Sequence, residues 1–252
     1  MADCGVIIGA SRGIGKDLTL RLATQYPDLP IIAISSSIAS SPAAAEFSQT
    51  HRNISCFDAD MSTTEGVSSV ASHIQGKIRF LVYASAIPGP MWSENPTPED
   101  FDTVMNINTR SVFFLARGLS DKFAEGSKFL IVNAGLAHVY LIPFPLYSIS
   151  KAALYMTYQV LKQEIKTTAV GSVLPGVVKT HISDTVFEKM QTDLNIKRLQ
   201  PEIVAKFLAY LISDKVSSER FSHAEWDIYN QDHQFEWLEE GDEPAVMPSF
   251  HK

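Results

Sequence analysis

The sequence predicts an α/β fold, a doubly wound parallel sheet with helices on both faces, built as one domain. Two observations predict it. Short apolar runs alternate with longer amphipathic segments along the 252 residues, the pattern of successive βαβ units whose strands are buried on both faces. The first apolar run ends in a turn holding Gly9, Gly13 and Gly15, and that turn opens into a helical pattern. The expected organisation is a domain over residues 1–232 and a tail over 233–252. The tail is acidic, aromatic and proline-containing without clear periodicity, which suits either a free tail or an edge cover.

Each element has a local reason. Gly5 to Ile8 reads as the first strand, and the helix after the glycine turn ends near Tyr26-Pro27, where proline cannot continue it. Pro30 to Ile34 is the second strand, and a short Ala-rich helix follows Pro42. Ile54 to Phe57 is the third strand; Ser62-Thr63-Thr64-Glu65 has the form of a capping box that opens the next helix. Phe80 to Ala84 fits strand four. Thr97-Pro98-Glu99-Asp100 joins a hydroxyl cap, a first-turn proline and acids facing the positive helix end, and that helix is expected to reach about Lys122. Phe129 to Val132 is strand five, a helix starts near Tyr147, Ser172 to Leu174 is strand six, and Pro201 opens a helix to Ile212. Trp226 to Tyr229 is a weaker last strand.

Composition narrows the function classes. With 45% hydrophobic and 19% charged residues the chain is an ordinary soluble globule. A net charge of -7 leaves no basic footprint for nucleic acid or an anionic membrane. No stretch approaches the roughly 18 to 20 apolar residues that span a bilayer, and no basic-then-apolar leader opens the chain; a cytoplasmic protein is expected. Cys4 and Cys56 have neither metal-ligand spacing nor a partner framework. A reducing compartment, two small buried thiols and no metal follow.

The turn Gly9-Ala10-Ser11-Arg12-Gly13-Ile14-Gly15 lies where backbone amides at a helix N-terminus can approach a pyrophosphate, and a Cβ there would block the approach. An ordinary tight turn would serve the same connection; the spacing after the first strand favours phosphate. A site for NAD usually places a carboxylate on the ribose about twenty residues further on. Here that position is Ser35, no acid occurs from Leu29 to Ala45, and Arg12 with Ser35 and Ser36 offers donors to a 2′-phosphate. NADPH is therefore expected over NADH, unless Arg12 merely points into solvent.

The turn, with Tyr147-Ser-Ile-Ser-Lys151 and Leu174-Pro175-Gly176-Val-Val178-Lys-Thr180, resembles the short-chain dehydrogenase/reductase family in order and spacing from about Val6 to Ile228. The resemblance implies a Rossmann fold. It makes Tyr147 the proton donor or acceptor, Lys151 the ribose ligand that lowers the tyrosine pKa, and the proline-glycine turn the nicotinamide cradle. The spacing agrees, because residues i and i+4 share a helical face, although Tyr and Lys fall at that spacing by chance in many helices. Asn108 matches the family's helix asparagine, which supports a water path to the lysine. Independently, it interrupts the apolar stripe of Phe101, Val104, Met105, Val112, Leu115 and Leu119, where a buried amide needs partners; a helix-bending asparagine is the alternative. Asp60-Met61 resembles the adenine-side pair, though Asp60 equally suits a helix cap.

Two departures matter. The family's serine, which polarises the substrate carbonyl, has Ala134 in its place, or Gly135 or Leu136 with a shorter loop, and no Ser or Thr occurs from Lys128 to Leu146. Losing one preorganised oxyanion donor commonly costs about a hundredfold to a thousandfold in rate. Asn133, His138 and Tyr140 lie in that segment as structural or substrate-pocket donors, with His138 first because its charge changes near neutral pH. The family's Asn-Asn-Ala-Gly becomes Tyr83-Ala84-Ser85-Ala86, which removes sheet-steadying amides and is expected to add bulk near the cofactor; Ala84 is expected among the cofactor-binding residues.

The expected function is NADPH-dependent reduction of a carbonyl or imine of a small molecule, an imine being the more tolerant of the missing hydroxyl because its nitrogen can be protonated before hydride arrives. Phe187, Met190 and Leu194 suit a hydrophobic substrate or the packing of a lid helix equally. The alternatives are a non-redox isomerase, dehydratase or cyclase using Tyr147 or His138 for proton transfer, and an NADPH-sensing binding protein. By resemblance, a homodimer or homotetramer forms through the helices of Asn108 and Tyr147.

Overall fold

The computed structural model describes residues 3–139, 143–190, 198–223 and 225–228. In them seven parallel strands form one sheet: β1 (Cys4–Ile8), β2 (Ile31–Ser35), β3 (Ile54–Asp58), β4 (Ile78–Tyr83), β5 (Phe123–Val132), β6 (Thr168–Leu174) and β7 (Trp226–Asp227). Their spatial order is β3-β2-β1-β4-β5-β6-β7. The chain works outward from β1 to β3, crosses back to β4, and then works outward the other way. The reversal between β1 and β4 leaves a crevice beyond their carboxyl ends, where ligands of such sheets bind. Val6, Ile7 and Ile8 of β1 are all fully buried, which is why its run is continuous rather than alternating.

Two apolar layers cover the sheet. Helices α1 (Gly13–Gln25), α2 (Pro42–Thr50), α8 (Pro201–Ile212) and α9 (Ser218–His223) bury Leu18, Leu22, Phe47, Phe207 and Phe221 against one face. On the other, α3 (Thr64–His73), α5 (Ser111–Gly118) and α6 (Pro145–Glu164) bury Val70, Leu115, Leu154 and Leu161. Helix α4 (Pro98–Met105) lies against α6, and α7 (His181–Met190) follows the turn after β6.

Local chemistry sets most boundaries, and the differences from expectation have causes. Thr97 caps α4 reciprocally with Asp100, as the sequence suggests. The third helix is capped by Thr63, not Ser62: its hydroxyl accepts from Gly66 N at 3.0 Å, and Ser62 N instead bonds the Asp60 carboxylate. The helix expected to reach Lys122 ends at Gly118 and is interrupted by a π turn, Asn106–Arg110. β5 begins at Phe123, six residues before its apolar run, because Phe123 pairs with Ile78 and Lys128 with Phe80. The Lys128 side chain is itself buried, donating from Nζ to the carbonyls of Leu211, Ile212, Ser213 and Val216 at 2.6–3.2 Å. It thus closes the carboxyl end of α8 with a cation where the helix dipole is negative. β6 likewise starts early, at Thr168; β7 is short, and Tyr229, Tyr140 and the tail from His233 lie outside the described residues. Helix α9 was not anticipated from periodicity, whereas α7 carries the Phe187 and Met190 that suited a lid helix.

Candidate active site

The carboxyl ends of β1, β2, β4, β5 and β6 gather most of the residues singled out from sequence. Gly9 follows β1 with φ at 88° and Gly13 has φ at 54°, both left-handed conformations that favour glycine. A Cβ on Gly9 would lie 2.7 Å from Ser85 N, and one on Gly15 only 2.2 Å from Gly9 O, so the turn rests directly on the backbone after β4, beside Ala84. Thr180, beyond the Pro175-Gly176 turn, reaches Gly13: its Cγ2 would stand 3.1 Å from a Cβ there. Val178 is buried and paired with Leu199, and Thr180 N bonds Ser183 Oγ at the start of α7. The two turns therefore face one another across the crevice.

The phosphate side fits an anionic dinucleotide by its own chemistry. Helix α1 starts without a side-chain cap or an acid in its first turn, leaving N–H groups and a positive dipole end open. Arg12, at its N-cap and exposed, has no side-chain partner among the described residues. Ser35 Oγ, at the end of β2, is buried and has no hydrogen-bond partner among the described residues, and Ser36 beside it is exposed. Asp60 is exposed and its carboxylate serves the turn before α3, while Met61 is buried.

On the other side of the crevice α6 presents Tyr147 and Lys151. Lys151 is 2% exposed; its Nζ donates to Val132 O at 3.2 Å and stands 5.5 Å from the Tyr147 ring centre. Burial lowers the lysine from 10.5 to about 7. The tyrosine, expected to be lowered by its neighbour, is instead raised to about 12 by burial, because desolvation penalises the phenolate and weakens the lysine's hold on its own proton.

Asn108 is fully buried on the π turn. Its Oδ1 accepts from Ile87 N at 2.9 Å, and its Nδ2 donates to Ile87 O and Ser150 Oγ, each at 2.9 Å. Ser150 Oγ donates to Tyr147 O at 2.8 Å. The Tyr83 ring does not crowd the cofactor crevice: it is fully buried beneath α5, since the alternation of β4 turns it to the helix face while Ala84 faces the glycine turn.

Ala134 leads into a short 3-10 turn, Gly135–Ala137. Asn133 and His138, on either side, converge on Glu225, which sequence reasoning missed. Its carboxylate accepts from Asn133 Nδ2 at 3.2 Å, Ser172 Oγ at 2.5 Å and His138 Nε2 at 2.5 Å. The His138 ring also packs edge-on against Tyr155, two turns along α6 from Tyr147. Among the described residues neither Asn133 nor His138 bonds Tyr147 or Lys151. Glu225 lies just before the short strand β7, 87 residues from His138, and no local pattern marks it. Ser150 carried a readable signal, one residue before the lysine in the Tyr147–Lys151 motif.

Lys189, on α7, bonds both Glu94 oxygens at 2.9 and 2.8 Å. Among the described residues there is no cluster of three metal-ligand side chains, and no helix long and apolar enough to cross a membrane.

A parallel sheet with a glycine turn after its first strand, and a half-buried tyrosine beside a buried lysine on α6, defines a Rossmann-fold oxidoreductase. The short chain dehydrogenase family model matches residues 4–191, and the chain belongs to that family. It is 25% identical over 235 residues to NADPH-dependent aldehyde reductase 2, chloroplastic, of Arabidopsis thaliana, covering 83% of this chain and 86% of the relative. It is 30% identical over 186 residues to the hydroxynaphthalene reductase-like protein Arp2 of Metarhizium brunneum, covering 71% and 69%. Its fold is similar to that of a short chain dehydrogenase from Burkholderia cenocepacia in complex with NADP, with TM-score 0.77 and 21% identity over 89% of this chain and 95% of that one.

Proposed function

We propose that the protein is an NADPH-dependent reductase of a carbonyl or imine in a small, hydrophobic molecule, with Tyr147 as the acid. The observation that carries this is the half-buried Tyr147 beside the buried Lys151, at the crevice that the glycine turn also borders. NADPH, when bound, supplies the hydride. Arg12, Ser35 and Ser36 hold its 2′-phosphate, the amides of the Gly9–Gly15 turn its pyrophosphate, and Asp60 and Met61 its adenine side. Ala84, Pro175, Gly176, Val178 and Thr180 enclose the nicotinamide end.

A phenol raised to about 12 is protonated at neutral pH, the state an acid needs for reduction. It gives its proton to the substrate oxygen or nitrogen as the C–H bond forms. Lys151, lowered to about 7, exchanges protons readily near neutrality and so returns one to Tyr147. Asn108 supports the path to Lys151, and Asn133 and His138, joined through Glu225, border the substrate. The two curated relatives are named as reductases, one of aldehydes and one hydroxynaphthalene-directed; the second agrees with the apolar Phe187 and Met190 of α7.

The missing hydroxyl at Ala134 favours a second reading, non-redox proton transfer by Tyr147 or His138. NADPH oxidation across aldehydes, fused-ring ketones and cyclic imines separates the two. The first reading expects turnover with at least one class; tight NADPH binding without oxidation of any would overturn it. Self-association, as a homodimer or homotetramer, is supported by an apolar stripe on α6, Ile149, Met156 and Val160, which are 47%, 60% and 40% exposed, with Phe114 of α5 alongside.

A further inference from the structure

We propose that Tyr83 is a positioning residue for the reaction: its buried hydroxyl holds the π turn Asn106–Arg110, and through Asn108 and Ser150 that turn sets the backbone bearing Tyr147 and Lys151. The inference rests on the acid–base reading of that pair. It adds a residue on a core strand, away from substrate and cofactor alike.

The Tyr83 ring is fully buried, so its hydroxyl must find partners inside the protein. It donates to Ile107 O at 2.5 Å and meets Ser111 Oγ at 2.6 Å. Ser111 Oγ lies 2.8 Å from the same carbonyl. Two hydroxyls and one carbonyl thus meet at the end of the turn, their two protons serving two of the three short contacts.

The turn is of the wide kind. Ser111 N bonds Asn106 O, five residues back, instead of the Ile107 carbonyl that α-helical spacing would select. Single π turns are uncommon and often mark functional sites, and this one has a visible task. Tightening it by one residue would rotate the preceding helix by about 100° and carry Asn108 off the face it occupies. In the observed register Asn108 grips both backbone groups of Ile87, just after β4, and Ser150 Oγ on α6. Thr109, next on the turn, donates to Ser150 O at 2.8 Å. Ser150 in turn donates to Tyr147 O. Two consecutive residues of the π turn therefore clamp the helical turn that carries the acid and its lysine.

Tyr83→Phe removes one oxygen and keeps the ring. The amide of Ile87, whose acceptor is Asn108 Oδ1, reports on the clamp without any catalysis. We expect faster hydrogen exchange at Ile87 and in residues 147–151, and a kcat about tenfold lower with the best substrate, because small misplacements of reacting groups are costly. NADPH affinity and KM are expected to stay within about twofold, and the pH midpoint of kcat to move as Lys151 shifts against Tyr147. Unchanged exchange at Ile87, or a loss confined to KM, overturns the proposal. Should Tyr83→Phe not fold, Ser111→Ala removes the other hydroxyl and is judged by the same exchange. A chain that binds NADPH but reduces nothing would refute the reductase reading, while exchange at Ile87 would still decide the role of Tyr83 in the clamp.

Discussion

Replacing Lys151 by methionine is expected to stabilise the protein while abolishing its activity. Lys151 is 2% exposed and its ammonium has one hydrogen bond, to Val132 O. Burial moves its pKa from 10.5 to about 7, and each unit is worth about 1.4 kcal/mol. At pH 7 the unfolded lysine is protonated, so folding must bury the charge or release the proton, which costs about 4 kcal/mol there and about 5 kcal/mol well below it. The cost is fully present below pH 7. It shrinks by about 1.4 kcal/mol per unit as pH rises, and is gone above 10.5. Methionine has similar length, no charge and no such dependence. Allowing about 1 kcal/mol for the lost hydrogen bond, the variant should be more stable at pH 7 by about 1–3 kcal/mol, with the advantage fading toward pH 10. The raised Tyr147 does not enter, since its cost begins only above its ordinary value of 10.0. Urea denaturation of both proteins at pH 7, 8, 9 and 10, compared at constant m, measures the difference directly. A variant less stable at pH 7, or a difference that does not change with pH, would refute the reasoning.

Other expectations follow from the same geometry. Arg12→Ala should weaken NADPH binding by about 10- to 100-fold, the worth of a charge-assisted phosphate contact, while NADH binding measured by the same titration changes little. Met156→Asp, at the centre of the exposed α6 stripe, should shift the protein toward monomer in sedimentation analysis without lowering its melting temperature by more than a few degrees; an unchanged assembly would exclude that face as the interface.

The parts of the fold with strong local signals were readable. The β1 run, the glycine turn and the Thr97 cap have causes within a few residues, and the structure reproduces them closely. What was not readable depends on partners far along the chain. The early start of β5 needs the pairing of Phe123 with Ile78, and the lysine in its middle is accommodated by carbonyls at the end of α8 and just beyond it. The site divides the same way. Tyr147, Lys151, Asn108 and the proline-glycine turn stand at recognisable spacings. Glu225 gathers β5, β6 and the loop after β5, a convergence that no sequence window contains. Tyr83 was noticed as an oddity, but the side of the sheet it faces, and hence its partner on the π turn, required the packed helices.

The most direct test of the account is stereospecific deuteride transfer from labelled NADPH during turnover of a substrate found in the panel, with Tyr147→Phe beside the wild type. The account predicts label on the reduced carbon of the product, on one face, and its loss when the phenol is removed. Product formed without label, or label transfer undiminished in Tyr147→Phe, would contradict it.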